Sequence, residues 1–418
     1  MRRQLIGLPR TNGTRNGNGA GTLGEIHSAD LSIQEDRGGH LRPANRDLSL
    51  GVEEEFFLVD LEDGSPVPWA DKLCASMPTA LEGRVVGELY PCAVEIATPI
   101  CHDLDDLKSS LTKLRTETAA RASKLGIGLL ASSTHPDLPR ERMLPRNVSR
   151  YQRQSSEYRH LIVEQQVVGC HIHVGLGEDD VIPVMDRVRS LLSPLIALSA
   201  NSPFWEGADT GYASWRTMVW SNWPVSGSPP ELKTRAGYES IVADLVSMGA
   251  VSDASNVYWD LRPSLRYPTL EFRAFDVGRT VEEVVVLSAL VRACVRMALE
   301  EKTWGIPSDE VSSQLLQAAR WQAARDGLSG LLVDVVDRQL KPSAVVLRGL
   351  LEKLRPALEE EGFWEEAWYS VQRALRGASG EQRQKLAFSR RGLLLDVVRD
   401  STIHASKGPA ALDAGSIA

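Results

Sequence analysis

Four stretches of this chain place charge inside patterns that otherwise read as β-strands, and those residues are the ones able to do chemistry. A strand residue that faces a core should be apolar, so a charge there needs a partner or an ion. In GVEEEFFLVD, side chains alternate between faces, which puts Glu53 and Glu55 with Phe57 on one face and Glu54 with Val52 and Phe56 on the other. Two carboxylates side by side repel each other, and a cation between them relieves the repulsion, Mg²⁺ being the ion that prefers hard oxygen ligands. A solvated strand edge is the plain alternative.

In AVEIATP, Glu95 is a single carboxylate in an apolar strand pattern that stops at Pro99, either a metal ligand or a surface residue. In GCHIHVGL, His171 and His173 share a face, with Gly169 and Gly175 permitting close backbone approach. That pair could bind zinc, contact phosphates or pack as hydrogen-bonded core residues. In YPTLEFRAFDV, Glu271 and Arg273 fall on one face together with Phe275. They read either as a cross-strand ion pair or as a metal carboxylate beside an arginine whose planar fork suits phosphoryl oxygens. The stretch SANSPFWEGADTGYASWRTMVWSNWPVSG concentrates tryptophans around Asp209 and Arg216, as a substrate-lining loop would, although a packed aromatic cluster also explains the tryptophans. Arg262 and Arg266 in DLRPSLRYP are further candidates for anionic ligands.

These residues need strands to hold them. Apolar alternation predicts strands over 48–59, 85–97, 127–132, 167–176, 257–261 and 270–275. Asp103 precedes a run in which Leu104, Leu107, Leu111 and Leu114 recur at helical spacing, with acids in the first turn and Gly126 at the end, so a helix is expected there. Helices are also expected over 181–200 and 281–300, then almost continuously over 308–399 with breaks near Gly327, Pro342 and Gly377. Without strict βαβ alternation, and with half-polar strands, the pattern favours an α+β fold whose C-terminal part, 304–405, is helical. Residues 1–46 and 406–418 are rich in Gly, Asn and charge or small residues, and are expected to be a disordered extension and tail around one catalytic domain, 47–405.

Composition narrows the classes. The 418 residues are 43% hydrophobic and 24% charged, which is ordinary globular protein. A formal charge of -8 argues against a dedicated nucleic-acid binder. Five cysteines without CxxC spacing suggest neither a disulfide framework nor a structural zinc, and fit a reducing cytoplasm. No signal-like or membrane-spanning run is seen, so no membrane partner is expected. Neither GxxxxGK[ST] nor a helix-opening GxGxxG occurs, so a nucleotide would have to be held through metal on a carboxylate-lined sheet.

Taken in order, GVEEEFFLVD, VEIATP, THP, GCHIHVG, LSANSPFWEGADTGYASWR and WDLRPSLRYPTLEFR resemble the bacterial carboxylate-amine ligases called type 2 glutamate-cysteine ligases, over residues 48–300. The resemblance implies a glutamine-synthetase-like catalytic sheet, antiparallel and lined with metal-binding carboxylates, with helices on its other face. It implies that Glu53, Glu55, Glu95 and Glu271 hold metal, that His171 lies near the nucleotide and that Arg273 lies near the transferred phosphoryl. Glu271, Arg273 and His171 would then carry the catalysis. ATP and Mg²⁺ are the implied cofactors, L-glutamate and L-cysteine the implied substrates, and a homodimer the expected assembly. Arg216, Arg262 and Arg266 are the candidates to bind the substrate carboxylate. A ligase for another acid and amine, a catalytically silent nucleotide- or amino-acid-binding homologue, and a zinc hydrolase using His171 and His173 remain as alternatives.

Overall fold

The computed structural model describes residues 48–138 and 143–403, so the expected terminal extension and tail lie outside the described residues. Its centre is an eight-stranded sheet. The strands are β1 (Leu50–Asp60), β2 (Val85–Gly87), β3 (Ala93–Ala97), β4 (Ile127–Leu130), β5 (Cys170–Gly175), β6 (Leu261–Pro263), β7 (Thr269–Phe275) and β8 (Thr402–Ile403). They run β6-β7-β5-β1-β3-β2, while β4 pairs with the far end of β1 and with β8. Every pairing is antiparallel. The expected strands are therefore present, although the 85–97 stretch is a hairpin of two short strands and, of 257–261, only Leu261 joins this sheet, Tyr258–Trp259 pairing in parallel with Ser226–Gly227.

Strand alternation divides the sheet into two unlike faces. Val52, Ile172, Val174, Leu270 and Phe272 turn towards the helices and join one core with Leu107 and Leu111 of α1 (Leu104–Lys124). Val285, Leu290 and Val291 of the long helix Val281–Thr303 complete that layer. Burying each such aliphatic side chain is worth about 1.5–3 kcal/mol. The Asp103 carboxylate caps α1 by accepting from the Asp106 N–H, and Gly126 closes it with φ of +78°. Glu54 is the exception on this apolar face: it is 0% exposed and ion-paired with Arg115 of α1, whose Nε–H donates to it at 2.9 Å. Arg115 also donates to the carbonyls of Arg279 and Gly278, at 3.0 and 2.8 Å. One buried pair thus ties the middle strand to α1 and to the entry of the long helix.

Two expectations need correcting. Phe275 does not share a face with Glu271 and Arg273: the β7–β5 register shifts between Phe272 and Phe275, and this bulge turns Phe275 over to stack near Phe272 in the core. The stretch after Gly327 is not continuously helical either. Leu331–Asp334 and Gln339–Pro342 form a hairpin. Its turn is closed by the Asp334 carboxylate, which accepts from the N–H groups of Val336 and Asp337, and by Arg338 at φ of 56°. Helices otherwise fill the C-terminal part, so the α+β class stands. No helix among the described residues is long and apolar enough to cross a membrane.

Candidate active site

The face away from the helices carries the charges, and register brings them together. Glu53 lies opposite His171 on β5, His173 opposite Glu271 on β7, Glu271 opposite Arg262 on β6, and Glu55 opposite Glu95 on β3. The result is two triads of potential ligand atoms, each within 4.8 Å: Glu53 with His171 and Glu271, and Glu55 with Glu88 and Glu95.

In the first triad, His171 Nδ1 lies 3.2 Å from the Glu53 carboxylate. His173 Nδ1 meets the Thr269 hydroxyl at 2.9 Å, and its Nε2, buried and without a hydrogen bond, lies 3.5 Å from Glu53. Glu271 is held between Arg262, at 2.8 Å, and Arg273. Burial works against both charged carboxylates. The hydrogen bond from His171 and the charge of His171 and His173 nevertheless hold Glu53 well below the usual carboxylate range, and Arg273 and Arg262 do the same for Glu271. Burial, and then the Arg273 guanidinium, push His171 down to about 4, which favours the neutral imidazole, the form able to ligate a cation.

The second triad has the opposite balance. Burial and the neighbouring Glu88 carboxylate push Glu55 up to about 8, against the pull of Arg216 and Arg273. Burial, then Glu88, Glu53 and Glu55, raise Glu95 well above the ordinary value. Three carboxyl groups this close cannot all ionise unless protons or cations lie between them. An all-oxygen donor set is what Mg²⁺ prefers, and the first triad adds one neutral imidazole to two carboxylates, so the residues present fit divalent cations at both places.

Two buried guanidinium groups border the carboxylates. Arg216, 2% exposed, donates to the Arg273 carbonyl at 3.0 Å. Both arginines lie against the Trp220 ring, 5.4 and 6.0 Å from its centre, and each has a buried Nε–H without a partner among the described residues. The backbone N–H of Gly169 donates to Glu55 at 2.7 Å, and a Cβ at Gly169 would run into the Arg216 guanidinium. Gly169 is thus required by close approach.

Of the residues expected from sequence, Glu53, Glu55, Glu95, Glu271, His171, Arg273, Arg216 and Arg262 come together here. Arg262 is committed to Glu271 and to the carbonyls of Ser255 and Val257. Arg266 stands exposed in the turn between β6 and β7, its N–H on the Ser264 hydroxyl, and no contact joins it to the carboxylates among the described residues. Asp209 is exposed and bonds the nearby Gly211 N–H, so it belongs to a turn. Glu88 was missed: it follows β2, and its proximity to Glu95 appears only when the β2–β3 hairpin closes.

Comparison with known proteins identifies the family. Residues 49–400 match glutamate-cysteine ligase family 2 (GCS2). A Mycolicibacterium smegmatis protein provisionally named glutamate–cysteine ligase 2-2 is 37% identical over 366 residues, covering 87% of this chain and 91% of that protein. A second from the same organism, provisionally named glutamate–cysteine ligase 2-3, is 38% identical over 352 residues, or 84% of this chain and 96% of its own. Among solved structures, the glutamate–cysteine ligase of Francisella tularensis in complex with AMP superposes with a TM-score of 0.63 at 12% identity, over 85% of this chain and 88% of that one. That likeness extends to the fold, the glutamine-synthetase-like arrangement expected from the sequence. The chain belongs to glutamate-cysteine ligase family 2, whose members are carboxylate-amine ligases.

Proposed function

We propose that the chain uses ATP to join the γ-carboxylate of L-glutamate to the amine of L-cysteine, giving γ-glutamylcysteine. The observation that carries this reading is the pair of adjoining triads, Glu53–His171–Glu271 and Glu55–Glu88–Glu95, bordered by two buried guanidinium groups. Carboxylates crowded this closely, next to fixed cations, suit a polyphosphate brought in with divalent metal. Mg²⁺ held there would supply charge neutralisation for the phosphate oxygens.

The substrate carboxylate oxygen attacks the γ-phosphorus and ADP leaves, forming an acyl phosphate. The amine nitrogen then attacks the acyl carbon, inorganic phosphate leaves, and the nitrogen sheds a proton. Arg273, oriented by its ion pair with Glu271, faces the charge that develops on the transferring phosphoryl. His171, neutral and fixed by Glu53, contributes a ring nitrogen beside the nucleotide without adding charge. Arg216 is the better candidate of the remaining arginines for the substrate's α-carboxylate, because Arg262 is occupied and Arg266 is exposed in a turn. His173 is not among the triad ligands, and the triads are dominated by oxygen donors, which favours Mg²⁺ over zinc.

The test is ADP release by purified protein with Mg²⁺, ATP and a matrix of acids and amines. ADP formation that requires glutamate and cysteine together supports the assignment. Release with another pair keeps the chemistry and replaces the substrates, and tight ATP binding without release for any pair overturns it. Light scattering on the same preparation tests the expected homodimer.

A further inference from the structure

Arg216 and Trp220 belong to one short helix, Trp215–Trp220, and nothing in its own six residues explains how it holds a buried cation beside Arg273. The helix is gripped at both ends from outside. At its start, Asp276, 2% exposed and just past the end of β7, accepts from the Asn201 N–H at 2.7 Å, the Ser202 hydroxyl at 2.7 Å and the Ser214 hydroxyl at 2.9 Å. Ser214 is the N-cap of the helix, its Oγ accepting from the Thr217 N–H, and the Ser202 Oγ accepts from the Arg216 N–H at 3.2 Å. One carboxylate thereby joins the strand that carries Glu271 and Arg273 to the helix that carries Arg216.

At its other end the grip comes from the C-terminal part of the chain. Arg320, on the helix Ser313–Asp326, donates to the Asp260 carboxylate from Nε at 2.5 Å and Nη2 at 3.2 Å, and from Nη1 to the hydroxyl of Ser221 at 2.7 Å. Ser221 is the C-cap of the Trp215–Trp220 helix. The Asp260 carbonyl in turn accepts the Arg273 N–H at 2.8 Å. Asp260 is 0% and Arg320 3% exposed, so this pair is a buried, multiply bonded bridge between the helical half and both arginines.

We propose that Asp276 and the Asp260–Arg320 pair are positioning residues for the reaction, clamping the Trp215–Trp220 helix so that Arg216 and Arg273 are held side by side without touching a carboxylate of their own beyond Glu271. Two like charges this close separate unless the frame is rigid. Among the described residues Arg216 makes no ion pair, and the charge of Asp276 compensates it at a distance while the hydroxyls fix its backbone. The C-terminal helices are then part of the catalytic apparatus rather than a support behind it. This rests on the ligase reading, and the two are separable: a wild-type chain that releases no ADP sinks that reading alone.

The experiment compares Asp276→Asn, Arg320→Lys and the milder Ser221→Ala with wild type, measuring kcat, the KM of the acid substrate, ADP affinity by calorimetry, thermal midpoint and the near-ultraviolet dichroism of the tryptophans. Asp276→Asn keeps the shape and removes the charge, so the acid KM should rise about tenfold or more with ADP affinity unchanged. Arg320→Lys cannot bridge Asp260 and Ser221 together, so kcat should fall at least tenfold, and Ser221→Ala should move kcat the same way by a smaller factor. All three should alter the tryptophan dichroism. If the folded variants keep kcat and KM within twofold of wild type, whatever their thermal midpoints, the residues are structural only and the proposal fails. Should Asp276→Asn or Arg320→Lys not fold, Ser221→Ala decides by the same criterion.

Discussion

Raising the pH from 6.5 to 8 should weaken the metal-free protein, and the magnitude follows from one side chain. Glu55 is held at about 8 by burial and by Glu88, against an ordinary value of 4.5. Between those values the folded state keeps a proton that the unfolded chain has lost, so stability falls as pH rises, by about 1.4 kcal/mol per unit. Below about pH 6.5 the effect is masked. His171, depressed to about 4, charges only in the unfolded state there, and its contribution has the opposite slope. Above that pH both His171 forms are neutral, and Glu53 and Glu271, whose values are lowered, are ionised in both states. The window from 6.5 to 8 therefore isolates the crowded triad and predicts a loss of about 2 kcal/mol from Glu55, or about 3 °C in thermal midpoint, to which the raised Glu95 adds a loss of the same sign. Thermal and urea unfolding in EDTA would show it, saturating Mg²⁺ would remove it, and Glu55→Gln would make it shallower while abolishing turnover. A metal-free midpoint that is level or rising through the window, and indifferent to Glu55→Gln, would refute the reasoning.

Four further outcomes are expected. Arg273→Lys should lower kcat by about 10²–10³ with the thermal midpoint kept, since a point charge replaces the planar fork; ADP release checks it. Gly169→Ala puts a methyl group into the Arg216 guanidinium and should reduce turnover at least tenfold, whereas the same change at Gly349, in the helix Ser343–Glu360 with open space around it, should leave turnover alone. Glu88→Gln should raise the Mg²⁺ concentration needed for half-maximal ADP release by about 10–100-fold, measured by titration. Arg115→Met strands the buried Glu54 carboxylate and should cost about 3–5 kcal/mol in urea unfolding, because the partner left behind is desolvated.

The site was legible where strand alternation alone determines a face. Glu53 and Glu55 had to share one side of β1, and Glu54 the other, whatever the topology. Alternation also paired Glu271 with Arg273, but the same rule misplaced Phe275, since a bulge adds a residue that no local pattern announces. Glu88 was invisible for a related reason: it lies outside any strand and reaches Glu95 through the closure of a hairpin. Arg115 sits within an amphipathic helix, where an arginine reads as solvated until tertiary packing sets it against Glu54. Arg266 shows the converse, a cation in a motif-like stretch that the turn leaves in solvent. In 331–342 the apolar residues suggested continued helix, and the turn chemistry of Asp334 and Arg338 prevailed.

The central claim, that a carboxylate is activated by phosphoryl transfer on this charged sheet face, is tested most directly by isotope transfer. L-glutamate labelled with ¹⁸O in its γ-carboxylate, incubated with the protein, Mg²⁺, ATP and L-cysteine, should deliver one labelled oxygen to the inorganic phosphate released in each turnover. Turnover that yields unlabelled phosphate would mean that the carboxylate never bonds to phosphorus, and would contradict the account.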